Sequence, residues 1–139
     1  MGVVTHVSDG DTVWVRPVAG GSAVNIRIDG IDAPEICQAG GAEAKAALSH
    51  RVLHQTVSVE GKRRDGYDRL LARIWLQQTD VGEAMVKSGQ AWAHQYKRYA
   101  SMYAPERAQA QAARLGLFAD ANAVHPREFR KRHGPCSRP

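Results

Sequence analysis

No apolar run in the 139 residues approaches the roughly 18 to 20 that a membrane helix needs, so the sequence predicts no helical span and no membrane partner. No basic-then-apolar stretch opens the chain either. Any signal peptide is therefore absent or already removed, which leaves a secreted or periplasmic location and a cytoplasmic one both open. Only two cysteines are present, Cys37 and Cys136, without the close spacing of a zinc or redox motif. They either stay as free thiols or form one disulfide clamping the tail to the body; a loop of that length stabilises by about 4 to 5 kcal/mol in the chain-entropy view. His50 and His54 stand four apart on a predicted helix, but no glutamate completes an H-E-x-x-H pattern, so they read as surface residues rather than zinc ligands. Internal repeats and low-complexity tracts are missing. Acidic residues are in deficit: 14 against 19 Lys and Arg give a formal charge of +5. That balance favours a polyanionic partner such as nucleic acid, with simple solubility as the plainer explanation.

The 43% hydrophobic content over 139 residues suits one domain with a single core. The expectation is one domain over 1–139, its core about 3–120 and a basic, proline-bearing tail over 121–139 that drapes on the body or is partly disordered. "VVTHV" and "TVWVRP" read as strands joined by the hairpin turn "SDGD". In "AVNIRIDGIDAPE", Val24, Ile26 and Ile28 alternate with Asn25, Arg27 and Asp29, so one face is core. The phase breaks at Gly30, as a β-bulge would break it, and that lets Arg27 and Asp32 converge. Pro34 ends the strand and sets Glu35 on a turn.

Ala44, Leu48 and Val52 then recur at helical spacing, and "TVSVEG" and "RLLARIWL" supply two more strands around the turn-like "RRDGYD". Asp80 with Glu83 forms a capping box for a helix that Gly89 closes. Pro105 opens another helix, which Gly116 ends after Leu115; "WAHQYKRYASMY" reads as a surface loop. Trp14 and Trp75 lie in strands, where core packing is expected, and Trp92 is left open between packing and base stacking. Five short strands with one helix between the third and fourth and others after the fifth suit an α+β fold: a five-stranded OB-fold β-barrel with about three packed α-helices.

Asp11, Asp32 and Glu35 are carboxylates at strand ends, while Arg27 and Arg69 lie on a strand face and at a hairpin exit. Asp11, Asp32 and the carbonyl of Ala33 offer the oxygen donors a hard cation takes. A third carboxylate beside a metal can activate water, which makes Glu35 the candidate base, and two guanidiniums can grip a phosphodiester. Taken singly each is weak: Asp9-Gly10 is ordinary turn chemistry, and arginines beside turns are usually solvated.

Together "DGDTV", "IRIDGIDAPE" and "RDGYDRLLARI", in this order and spacing, resemble the staphylococcal nuclease (thermonuclease) family, as do the downstream "GQAWAHQYKRYA" and "RLGLF". The similarity covers most of residues 3–120. It implies a Ca²⁺-dependent phosphodiesterase on an OB-fold barrel that cuts DNA and RNA with little sequence preference and leaves 3′-phosphates. In the family the metal is held by the positions matching Asp11, Asp32 and the Ala33 carbonyl. The position matching Glu35 acts on the attacking water, and those matching Arg27 and Arg69 contact the phosphate. Tyr67 and Tyr96 match substrate-side aromatics. The expected partner is single-stranded DNA, RNA or duplex DNA, taken by a monomer. The chain departs from the family's best-known member in having Ala33 for threonine, Asp68 where glycine is expected before Arg69, and a short loop after Glu35 that contains Cys37. The alternative is a catalytically inactive OB-fold nucleic-acid-binding module; such decayed copies would lack several of the five charged residues, and this chain lacks none.

Overall fold

A computed structural model describes residues 1–94 and 102–136 of the chain. It begins with three antiparallel strands, β1 (Gly2–Asp9), β2 (Thr12–Pro17) and β3 (Val24–Ile28). Alternation sorts their side chains: Val13, Val15, Ile26 and Ile28 are buried, and Trp14, between two inward valines, is pushed to the exposed outer face rather than into the core. The β1–β2 turn passes through Gly10, where an added Cβ would lie 2.7 Å from the Cβ atoms of both Ala33 and Ala44. This glycine is needed for the close approach of the hairpin to the segments behind it.

The phase break at Gly30 is a turn, not a bulge. Asp29 and Gly30 reverse the chain, Gly30 at φ 83°, and β4 (Ile31–Asp32) leaves the main sheet to pair with β8 (Trp92–Ala93). A bulge and a two-residue turn both break the period of two, so the pattern alone did not separate them. Next comes α1 (Gly41–Val52), with Ala44, Leu48 and Val52 fully buried at the spacing expected. The β5 (Thr56–Arg64) and β6 (Leu70–Leu76) hairpin follows, then β7 (Thr79–Asp80) and α2 (Val81–Lys87). Asp80 caps α2 by accepting from the Glu83 amide at 3.3 Å, and Gly89 closes it at φ 79°.

The main sheet runs β3-β2-β1-β5-β6-β7, and β3 also pairs in parallel with β6, placing Arg27 opposite Leu71. The buried side chains described form one core cluster between this sheet and the helices on it; Ile26, Ile28, Ile31, Leu48, Ile74 and Met85 are among its largest members.

The fold is mixed α+β, with eight strands rather than five and four α-helices rather than about three among the described residues. The additional strands β4, β7 and β8 are two residues each, too short to leave a period in the sequence. Helix α3 (Ala104–Ala112) has Pro105 in its first turn but stops before Leu115, because Arg114 takes φ 53° and a 3-10 turn starts at Gly116. Within 121–136 the tail carries α4 (Pro126–His133), which starts from a His125 cap, whose Nδ1 accepts from the Arg127 amide. No helix among the described residues is long and apolar enough to cross a membrane.

Candidate active site

Asp11 sits in the β1–β2 turn with its side chain only 8% exposed. Its Oδ1 accepts from the Thr12 hydroxyl at 3.0 Å and its Oδ2 from the Ala33 amide at 2.8 Å. The second bond fastens the first hairpin to the strand segment that carries Asp32. Asp9 supports the turn by accepting the Asp11 amide at 3.0 Å. Burial raises the Asp9 carboxyl to about 8, and the neighbouring Asp11 charge adds to the effect. Burial also acts to raise Asp11, but Arg27 and the surrounding donors outweigh it and hold Asp11 below the usual carboxylate range. The two carboxyls are thus pushed in opposite directions, Asp9 toward its protonated form and Asp11 toward its ionised one.

Arg27 is the cation shared by Asp11 and Asp32. Its Nη2 lies 3.6 Å from Asp11 Oδ2 and 3.6 Å from Asp32 Oδ1, and its Nη1 donates to the Ile28 carbonyl at 2.8 Å. Asp32 is buried in β4, aimed back at Arg27 by the Asp29–Gly30 turn. Burial works against the Arg27 charge, but Asp11 and Asp32 prevail and raise its pKa. Two carboxylates from separate segments therefore converge on one positive charge.

Glu35 stands on a tight turn after Pro34. Its amide donates to Gln38 Oε1 at 3.0 Å and its carbonyl accepts from the Gln38 amide at 2.9 Å. A Cβ at Gly41 would collide with the Glu35 carbonyl oxygen, so the turn needs glycine there. Gln38 Nε2 donates to the Val124 carbonyl at 2.6 Å, and Cys37 is disulfide-bonded to Cys136. The loop bearing Glu35 is thereby joined to the C-terminal segment at two points.

Arg69 is set by the β5–β6 turn. Asp65 Oδ1 accepts the amides of Tyr67 at 2.8 Å and Arg69 at 3.0 Å, and its Oδ2 accepts Arg69 Nε at 2.8 Å. Burial acts to raise Asp65; the Arg69 and Tyr67 amides and the Arg69 side chain together overcome it and lower its pKa. The Arg69 guanidinium lies 5.2 Å from the centre of the Tyr67 ring, which is 82% exposed. Asp68, at φ 59°, turns its carboxylate to Arg64 at 3.6 Å rather than to Arg69. The left-handed backbone explains why glycine suits that position.

Asp11, Arg27, Asp32, Glu35, Tyr67 and Arg69 all line one cavity of about 640 Å³. Tyr96 lies outside the described residues. His50 and His54 are exposed, and His54 falls beyond the end of α1. Two further charged residues of the cavity escaped the sequence reading. Asp9 belongs to the turn signal "SDGD", which accounts for it without a site, and Arg130 comes from the tail.

No three His, Cys, Asp or Glu side chains among the described residues group closely enough to hold an ion by themselves. The donors at hand are the Asp11 and Asp32 carboxylates, which already converge on one cation, and the carbonyl of Ala33 beside Asp32. This all-oxygen set fits a hard divalent cation whose remaining ligands are water.

A family described as staphylococcal nuclease homologue matches residues 25–120. A Haemophilus influenzae protein named as an uncharacterized endonuclease is 36% identical over 92% of this chain and 71% of its own length. A Shigella flexneri micrococcal nuclease is 34% identical over 94% of the chain and 80% of its own, and the Escherichia coli protein ParB 35% identical over 94% and 78%.

Proposed function

The chain belongs to the family of staphylococcal nuclease homologues, and from that premise we propose that it is a Ca²⁺-dependent endonuclease that hydrolyses DNA and RNA with little sequence preference. The observation that carries the reading is the double contact of Arg27 with Asp11 and Asp32, in one cavity with Glu35 and Arg69. We read the sheet in which β3 returns to β6 as an OB-fold-like barrel whose surface presents that cavity.

Asp11, Asp32 and the Ala33 carbonyl would hold Ca²⁺, which would offset the negative charge that grows on the scissile phosphate. Glu35 takes a proton from water. The water oxygen bonds to phosphorus as the bond from phosphorus to the 5′-oxygen breaks, and that oxygen leaves with the electron pair and is protonated from solvent. The products are a 3′-phosphate and a 5′-hydroxyl. Arg27 and Arg69 donate to the phosphate oxygens, where charge grows in the transition state. Tyr67 flanks the bound nucleotide.

Digestion of single-stranded DNA and of RNA with Ca²⁺, with Mg²⁺ and with chelator, followed by end-group analysis, tests this. Cleavage with Ca²⁺ alone and 3′-phosphate ends are expected. Binding without cleavage under every cation would replace the reading by that of a nucleic-acid-binding module.

A further inference from the structure

Arg130 reaches the cavity from the opposite end of the chain. Its Nη1 donates to Glu35 Oε1 at 2.6 Å and to Asp32 Oδ1 at 3.4 Å, and its Nη2 to Asp32 Oδ2 at 3.3 Å. One guanidinium thus spans the proposed base and a proposed metal ligand. We infer that Arg130 is a further phosphate-binding residue of this site, resting on Asp32 and Glu35 until a cation and nucleic acid arrive and then pairing with a substrate phosphate. The inference rests on the nuclease reading above.

Its placement is built rather than incidental. Helix α4 is tied down on both sides of Arg130: Val124 before it accepts from Gln38, and Cys136 after it is bonded to Cys37. Both anchors lie within three residues of Glu35, so the helix and the base are held as one unit. Structural need does not account for the contact. Arg27 already faces Asp32, and an ion pair whose arginine is 44% exposed contributes little stability. Arg130 lines the cavity with its side chain 44% exposed, whereas that of Arg27, at 16%, is enclosed. The planar fork that fits a carboxylate fits a phosphate equally well. A divalent cation on Asp32 would also repel Arg130 from that carboxylate, which frees the fork when substrate is to be gripped.

The contact predicts changes of opposite sign in one variant. Arg130→Ala in the full chain, with the disulfide intact, removes a cation that competes for Asp32 and a donor to phosphate. Calorimetric titration should show Ca²⁺ bound several-fold more tightly, while KM for single-stranded DNA rises about tenfold, the loss expected for a hydrogen-bonded charge. Arg130→Lys should recover part of KM and keeps the test open if the alanine variant folds poorly. An unchanged KM, a higher kcat/KM that would mark Arg130 as a plug, or unchanged Ca²⁺ affinity overturns the inference. If the unaltered chain cleaves under no cation, the nuclease reading fails by itself. Fluorescence anisotropy of the same uncleaved DNA then decides on Arg130, with about tenfold weaker binding by Arg130→Ala expected and equal binding overturning it.

Discussion

The amide of Ala33 donates to Asp11 Oδ2 at 2.8 Å, so the turn that carries one site carboxylate is bonded to the strand that carries the other. Asp11 thus has a structural task and, in the proposed function, a metal-binding one, and substitutions should separate them. Asp11→Ala leaves Arg27 buried with one partner fewer and the Ala33 amide unmet; a loss of about 3 kcal/mol is expected from urea unfolding. Asp11→Asn keeps an acceptor for that amide and should cost less, yet weaken Ca²⁺ binding strongly in calorimetry. Equal Ca²⁺ affinity in Asp11→Asn and the unaltered chain would remove Asp11 from the proposed metal site.

Arg69 offers the complementary test, because its known contacts are few and local. Its side chain pairs with Asp65 at the tip of a hairpin and is partly solvated, so Arg69→Ala should lower stability by no more than about 0.5 to 1 kcal/mol. A transition-state arginine in phosphoryl transfer is worth about 10³-fold or more in rate. The expected outcome is a nearly unchanged melting curve with Ca²⁺-dependent cleavage of single-stranded DNA almost gone; cleavage retained at full rate would exclude Arg69 from the chemistry.

How far the site was legible depends on the range of the interaction that fixes each residue. Arg27, Asp32 and Glu35 lie within nine positions of each other, where alternation, a glycine and a proline governed their placement, although the Gly30 feature is a turn rather than a bulge. Asp9 could have been found in the same "DGD" stretch, but turn chemistry explained it too readily. Arg130 had no such signal. "HPREFRKR" has one composition whether it floats in solvent or docks, and what docks it is a bond from Gln38 to Val124 and a disulfide from Cys37, both spanning more than half the chain. Strands of two residues are invisible for a related reason: a period needs more than one repeat.

The Asp65 turn predicts a specific pH dependence. In the folded chain burial opposes ionisation of the Asp65 carboxyl, but the Arg69 and Tyr67 amides and the Arg69 side chain together outweigh it and lower its pKa. A group with a depressed folded pKa contributes stability that is complete above its unfolded value, near pH 4, and disappears as the pH falls through the lower folded value. The stability difference between the unaltered chain and Asp65→Asn should therefore be larger at pH 7 than at pH 3. Chemical denaturation at the two pH values measures it, and a difference that does not narrow in acid would show that the carboxylate charge contributes nothing to the turn.

The disulfide predicts a local release within a broader destabilisation. Cys37 and Cys136 are 99 residues apart, and opening a loop of this size costs about 2 to 5 kcal/mol, which should appear as a lower melting temperature under reductant. The loss is not spread evenly. Helix α4 has eight residues, too few to persist without packing, and reduction removes one of its two anchors to the Glu35 loop. It should fray before the sheet does and withdraw Arg130 from Asp32 and Glu35. Arg127, Arg130, Lys131 and Arg132 are all sites for trypsin. Brief digestion followed by mass spectrometry should therefore cut the reduced chain within 127–132 while 1–94 stays whole, and leave the oxidised chain uncut there. The same cleavage pattern in both states would mean that packing, not the disulfide, holds α4 across the cavity.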